Sequence, residues 1–134
     1  MTATVGTTVT HRRYVPYAHA HYAGNLVDGA YMLALFGDVA TELCIRTDGD
    51  EGLFAAYDTV QFRAPVQAGD VLEVVAVLRR VGRRSRSVDF EARVVCRGVS
   101  TGGGLAPSAA VVLEPALVAV VASGTVVVLS LIHI

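Results

Sequence analysis

The chain contains no lysine; all eleven of its basic side chains are arginine, a skew that reads as coding bias rather than function. Against twelve acidic residues the formal net charge is -1, so nothing in the charge favours nucleic acid or anionic membranes as partners. There are two cysteines, Cys44 and Cys96, without CxxC spacing and inside apolar runs. Buried thiols in a reducing compartment are the expectation, not a disulfide. Gly102-Gly103-Gly104 lacks the Lys-Ser/Thr that would make it a phosphate loop. The acidic stretch Asp48-Gly49-Asp50-Glu51-Gly52 lacks the ligand spacing and terminal glutamate of a calcium loop. Residues 1–10 are threonine-rich with no apolar centre, so no signal peptide is expected. No repeat is visible, and 134 residues suffice for one domain with one core.

One apolar run, Leu105 to Ile134, is long enough to suggest a membrane span. It is interrupted by Glu114, Pro115 and Ser123-Gly124, and valine dominates it. Short β-branched runs broken by turn formers predict buried strands instead. A cytoplasmic location is the expectation.

What the chain does have is one long helical pattern, within His21 to Leu43. At about 100° per residue, Met32, Leu33, Phe36, Val39, Ala40 and Leu43 share a broad apolar arc, and Tyr31, Leu35, Asp38, Glu42 and Ile45 lie opposite. A helix apolar on nearly all sides is expected to be buried. Burying Asp38 and Glu42 is costly unless they are paired or put to chemical use. Asn25 and the glycines suit the turn before the helix, and Asp28 suits its N-cap. Arg46 suits the C-terminal dipole end, and the Asp48–Gly52 cluster ends the helix.

Around the helix the period is two. Thr7–Tyr17 predicts a first strand, with His11, Arg12 and Arg13 partly exposed and Pro16 ending it. His19 and His21 would share a face of extended chain, but no third metal ligand stands at a diagnostic distance, so hydrogen bonding near a turn is the simpler expectation. After the helix, Phe54–Ala64, Val71–Val81 and Ser87–Cys96 predict strands. Arg97–Pro107 predicts a loose loop, and Ala109–Leu113 with Leu117–Val128 a last strand or strand pair bent at Glu114-Pro115. One long central helix wrapped by a five- or six-stranded, mainly antiparallel sheet is an α+β hotdog fold. The helix arc facing away from its sheet also needs cover, which a twofold dimer supplies. Tyr31, Asp38 and Glu42 are best placed to line the clefts between subunits.

The helix start near Gly29 and Ala30 offers unpaired N–H groups and a positive dipole end, suited to a thioester oxygen that gains negative charge. Gly24 and Gly29 would allow a ligand close to the backbone. Ala30 to Asp38 is eight residues, roughly 12 Å of helix rise. One subunit cannot readily bring both to one carbon, so the site is expected to need two chains.

The run HYAGNLVDGAYMLALFGDVATEL, the following DGDEGLFAAYDTVQFRAPVQAGD, then GRRSRSVDFEARVV and EPALVAVVASGTVVV carry a resemblance over most of residues 19–128. They resemble the 3-aminobutyryl-CoA ammonia-lyases of lysine fermentation, within the hotdog-fold acyl-CoA family. The chain departs from that family at Ala23, where a second glycine is usual, and after the last strand, where a Pro-Lys tail is usual. Residues 129–134, LSLIHI, match a translated sequencing adapter, so the single domain is expected to be 1–128 and His133 carries no functional weight.

The resemblance implies reversible elimination of ammonia from a 3-aminoacyl-CoA to the 2-enoyl-CoA, with no cofactor or metal beyond the CoA of the substrate. It implies Asp38 as the base, Glu42 for the ammonium or as a proton shuttle, and exchange of those roles stays open. Proximity of the two should raise the pKa of at least one. His21 and Asn25 would shape the thioester end with Gly29, Ala30 and Tyr31, and Arg86 would meet a CoA phosphate. On the residues alone, Asp38 and Glu42 read equally well as structural acids, Tyr31 as core, and Arg79, Arg80, Arg83, Arg84 and Arg86 as a solvated strand end. A hotdog acyl-CoA thioesterase and a non-catalytic acyl-binding module are the alternative functions; the Asp-His pair of hotdog hydratases is not visible. A homodimer at least is expected, with tetramer or hexamer open, and the acyl chain is open up to one as long as β-lysyl.

Overall fold

The computed structural model describes residues 3–99 and 104–129. Of the suspected tail only Leu129 falls within them, and Gly102 and Gly103 of the triple glycine lie outside them. The chain forms strand β1 (Thr8–Tyr14), a short hairpin of β2 (Ala20–Tyr22) and β3 (Leu26–Val27), helix α1 (Gly29–Asp48), then β4 (Leu53–Phe62), β5 (Val71–Val81), β6 (Ser85–Gly98) and β7 (Ala110–Val127). The five long strands make one antiparallel sheet in the order β1-β5-β6-β7-β4. The expected hotdog arrangement is present, a single long helix lying across β5, β1 and β6.

The strand pattern explains which face the helix covers. Leu72, Val74, Ala76 and Leu78 of β5, Val88, Phe90, Ala92 and Val94 of β6, and Val120, Ala122 and Val126 of β7 are all buried. Each set recurs every second residue, as a sheet with one covered face requires. Onto this face α1 sets Met32, Phe36, Val39 and Leu43, and the Phe36 ring stacks on Phe90 with centroids 5.0 Å apart. The two expected pieces of the last strand are one strand running through Glu114-Pro115.

Two expectations need correction. Strand β4 does not alternate: Phe54, Tyr57 and Val60 are its partly covered residues, every third position. Register shifts between Phe54 and Ala56 and between Tyr57 and Thr59 are responsible, because each bulge adds one residue to the count between inward side chains. Nor is α1 buried all round within one chain. Tyr31 and Leu35 are covered, but Ala34, Asp38, Ile45 and Arg46 are exposed along one stripe.

Both helix ends are held by aspartates. Asp28 caps the N-terminus, its Oδ1 accepting the Tyr31 N–H at 3.0 Å. At the other end Gly49 takes the left-handed conformation, φ 63°, and its N–H returns to the Ile45 carbonyl at 2.9 Å. Just before it, Asp48 receives a two-pronged bond from Arg86, Nη2 to Oδ1 at 2.6 Å and Nε to Oδ2 at 2.9 Å. The Thr47 hydroxyl also donates to Asp48, and Arg86 Nη1 donates to the carbonyls of Gly82 and Ser85.

This arrangement corrects the expectation for Arg86. Its side chain is 3% exposed and four of its N–H donors are spent inside the protein, so it ties the helix end to the β5–β6 turn and offers nothing to a CoA phosphate. Removing one member of such a buried pair strands the other charge, a loss of about 3–5 kcal/mol. Asp48→Ala is therefore expected to lower unfolding stability by about that amount in a urea titration. A change of less than about 1 kcal/mol would mean that the pair does not hold the helix end.

Candidate active site

Two clefts flank α1, on opposite sides. The first, of 410 Å³, opens at the helix start between Val27, Asp28, Gly29 and Met32 on one wall and the segment Phe62–Val66 with Val120 on the other, and Tyr22 stands at it as well. Its character is apolar, with Asp28 and Arg63 as the charged members. A side chain at position 29 would meet the Phe62 ring at 2.6 Å, so glycine is what lets strand end and helix start close together. The N–H groups of Gly29 and Ala30 belong to the first helical turn and have no acceptor within the helix.

The second cleft, of 290 Å³, lies between α1 and the edge strand β1. Thr10, His11, Arg12, Arg13, Leu35, Asp38 and Val74 line it. Tyr31, Leu35, Asp38 and Glu42 recur on this side of the helix at spacings of three to four residues. His11 and Arg13, two apart on β1, reach toward them. His11 Nε2 lies 2.8 Å from Glu42 Oε1, and Arg13 Nε donates to the Tyr31 hydroxyl at 3.4 Å. The Tyr31 ring is buried beneath His19, centroids 4.1 Å apart. Arg13 is held further toward its charged form, first by the Tyr31 hydroxyl and in lesser part by Asp38.

Glu42 departs from expectation. Arg46 donates to its Oε2 at 2.8 Å while His11 holds Oε1, so both oxygens are engaged. Those bonds, Arg46 first and His11 second, pull its pKa down from 4.5 rather than up. The mutual elevation expected from two neighbouring acids therefore does not occur at Glu42. Asp38 is different: it is exposed at the cleft and accepts no hydrogen bond from the described residues.

The remaining expected site residues line neither cleft. Asn25, with φ 61°, and Gly24, with φ 72°, shape the turn between β2 and β3. Nothing lies within 4 Å of where a Gly24 side chain would start. His21 is exposed, its Nδ1 3.9 Å from Asp28 Oδ2. No group of three His, Cys, Asp or Glu among the described residues could hold a metal ion. The sequence reading missed Arg13, His11 and the apolar lining from Phe62, Val66 and Val120. Alternation on β1 would have put positions 11 and 13 on one face, but nothing local says that this face meets the helix.

Within one chain the two clefts do not bring Gly29 and Asp38 to one carbon. Gly29 and Asp38 are nine residues apart, about 900° of helix rotation, which leaves them on opposite faces and roughly 13 Å apart along the axis.

Comparison with known proteins bears on this geometry. Residues 24–99 match the family model described as the thioesterase superfamily. The chain is 56% identical over 109 residues to the 3-aminobutyryl-CoA ammonia lyase of Acetoanaerobium sticklandii, covering 81% of this chain and 84% of that one. It superposes on the beta-alanyl-CoA:ammonia lyase of Clostridium propionicum with a TM-score of 0.85 and 36% identity, over 93% of this chain and 87% of the other. A hexameric hotdog fold thioesterase of Campylobacter jejuni shares the fold, with a TM-score of 0.70 and 20% identity over 90% of this chain and 81% of that one.

The depressed Glu42 carboxyl sets a pH signature. Its stabilising contribution is complete above the ordinary glutamate range and is lost as pH falls through the depressed folded value. An NMR titration of the folded protein is expected to place the Glu42 midpoint below 4.5, and Arg46→Ala to move it back up. A midpoint at or above 4.5 in the unsubstituted protein would contradict the bonded geometry.

Proposed function

The chain belongs to the thioesterase superfamily of hotdog-fold proteins, and from that membership we propose an ammonia-lyase that converts 3-aminobutyryl-CoA, or a closely related 3-aminoacyl-CoA, to the 2-enoyl-CoA and ammonia. The observation that carries the reading is the 56% identity to a 3-aminobutyryl-CoA ammonia lyase across most of both chains, joined by the near superposition on a beta-alanyl-CoA lyase. The enzyme is a carbon–nitrogen lyase. Hydrolysis of the thioester is the second reading; it draws on thioesterase neighbours near 20% identity, which share the fold alone.

The proposed site forms between two copies of the chain. The stripe of Ala34, Asp38 and Ile45 left open on α1 needs cover, and a twofold partner running antiparallel provides it. In that assembly Asp38 of one copy comes beside the helix start of the other. Further pairing into a hexamer, the state named for the Campylobacter jejuni neighbour, is compatible with this dimer.

Elimination begins with removal of a proton from C2 of the substrate. Asp38 is the base, because its carboxylate is open to the cleft while both Glu42 oxygens are bound by His11 and Arg46. The electron pair from the C2–H bond moves onto the thioester oxygen, where the N–H groups of Gly29 and Ala30 and the helix dipole stabilise the charge. The pair then returns to form the C2–C3 double bond while the C3–N bond breaks, its electrons leaving with the nitrogen as ammonia. Glu42, in this reading, keeps His11 and the rest of the polar cluster in place around Asp38.

The test combines crotonyl-CoA with ammonium and follows both enoyl absorbance and free thiol. Loss of absorbance that depends on ammonium and releases no thiol is expected; thiol release would favour hydrolysis. Asp38→Asn is expected to lower the rate roughly 10²–10⁴-fold, the usual contribution of a positioned base, with the oligomer intact by sedimentation. Undiminished turnover in that variant would remove Asp38 from the mechanism.

A further inference from the structure

The cleft at the helix start contains an acid that the sequence reading used only as a cap. Asp28 Oδ1 accepts the Tyr31 N–H, but its Oδ2 makes no hydrogen bond within the described residues. The His21 Nδ1 lies 3.9 Å from that oxygen, beyond hydrogen-bond distance, on a side chain that is itself exposed. Arg63, the other charged residue of the cleft, donates to Gln61 and makes no ion pair with Asp28. Everything else facing the 410 Å³ space there is apolar or aromatic, apart from backbone: Tyr22, Val27, Met32, Phe62, Ala64, Pro65, Val66 and Val120 leave Asp28 as its one carboxylate.

We propose that Asp28 is the specificity-determining acid of the lyase site, its Oδ2 receiving the 3-ammonium group of the substrate. This rests on the ammonia-lyase reading and on the helix start holding the thioester. The geometry follows from bond lengths. The ammonium nitrogen is three bonds of about 1.5 Å from the carbonyl carbon and four bonds from the carbonyl oxygen, so it sits within roughly 5 Å of that oxygen. Asp28 directly precedes Gly29 and is bonded to the third N–H of the same turn. A carbonyl oxygen bound at Gly29 or Ala30 therefore puts the 3-ammonium beside Asp28.

The same acid selects against unaminated esters. A plain acyl chain in the cleft would cover an ionised carboxylate and provide no partner for it, which is unfavourable. An ammonium supplies the missing charge and hydrogen-bond donors. Glu42 of neither copy can do this, since Arg46 and His11 already hold its oxygens. The ammonium contact passes from Glu42 to Asp28. No proton transfer through Asp28 is required: the C–N bond breaks with its electron pair going to nitrogen, which leaves as neutral ammonia, and the proton taken from C2 stays on Asp38.

Asp28→Asn separates this role from capping, because asparagine caps a helix about as well as aspartate. The probes are the 3-aminobutyryl and butyryl amides of CoA with NH in place of the thioester sulfur, which keep the carbonyl oxygen but whose C2–H is far less acidic, so that elimination is slow. Calorimetry is expected to show that Asp28→Asn weakens binding of the aminobutyryl amide roughly 10- to 100-fold, the range for loss of a charged hydrogen bond. The butyryl amide should bind the variant as well as the unsubstituted protein or better, with the thermal midpoint unchanged. Unchanged affinity for the aminobutyryl probe, or an equal loss for both probes, would overturn the proposal. If Asp28→Asn does not fold, Asp28→Ser retains a capping oxygen and gives the same readout. Failure of the lyase reading is seen elsewhere, as absence of ammonium-dependent enoyl loss in the unsubstituted protein.

Discussion

Helix α1 is fixed at both ends by a carboxylate, and the chemistry depends on where those two anchors put it. At the N-terminus Asp28 satisfies one first-turn N–H and leaves those of Gly29 and Ala30 without an acceptor in the helix, Gly29 lining a cleft. At the C-terminus the Asp48–Arg86 pair ties the last turn to the β5–β6 turn through a bond network without exposed members. A buried ion pair of this kind contributes little net stability over apolar packing but penalises any arrangement that separates it. Its effect is to fix the position and direction of the helix on the sheet, and with it the direction in which the unpaired N–H groups point.

That fixed axis produces the division of the site. The helix mouth and Asp38 lie on opposite faces of one rigid rod, beside separate clefts. In the proposed dimer the open stripe on α1 is where a second copy joins them, and activity would then depend on assembly. In the cleft with Asp38, His11 and Arg13 are bonded to Glu42 and Tyr31, while Asp38 accepts no hydrogen bond from the described residues.

Much of this was legible before any coordinates. The change of hydrophobic period after residue 52, the single long helical pattern, the cap at Asp28 and the glycine stop all act through neighbours within a few residues, and each was read with small boundary errors. Strand β4 was misread because bulges are set by pairing with β7, which leaves no trace in the local alternation. Arg86 was misread for a similar reason. Five arginines in one turn region look alike in sequence, and only the arrival of Asp48 from 38 residues earlier sets one apart as a buried latch. Glu42 seemed free to act with Asp38 because a helix wheel shows its own side chains and not those of β1.

The sequence by itself determined the elements, their order and the family, since periodicity, capping and turn chemistry are short-range and similarity accumulates along the chain. Only the tertiary structure decided which acids are occupied and which are open. Polar contacts such as the His11–Glu42 hydrogen bond and the Arg86–Asp48 ion pair join residues 31 and 38 positions apart. Their strength falls steeply with distance and with water, so they exist only once packing has brought the partners together.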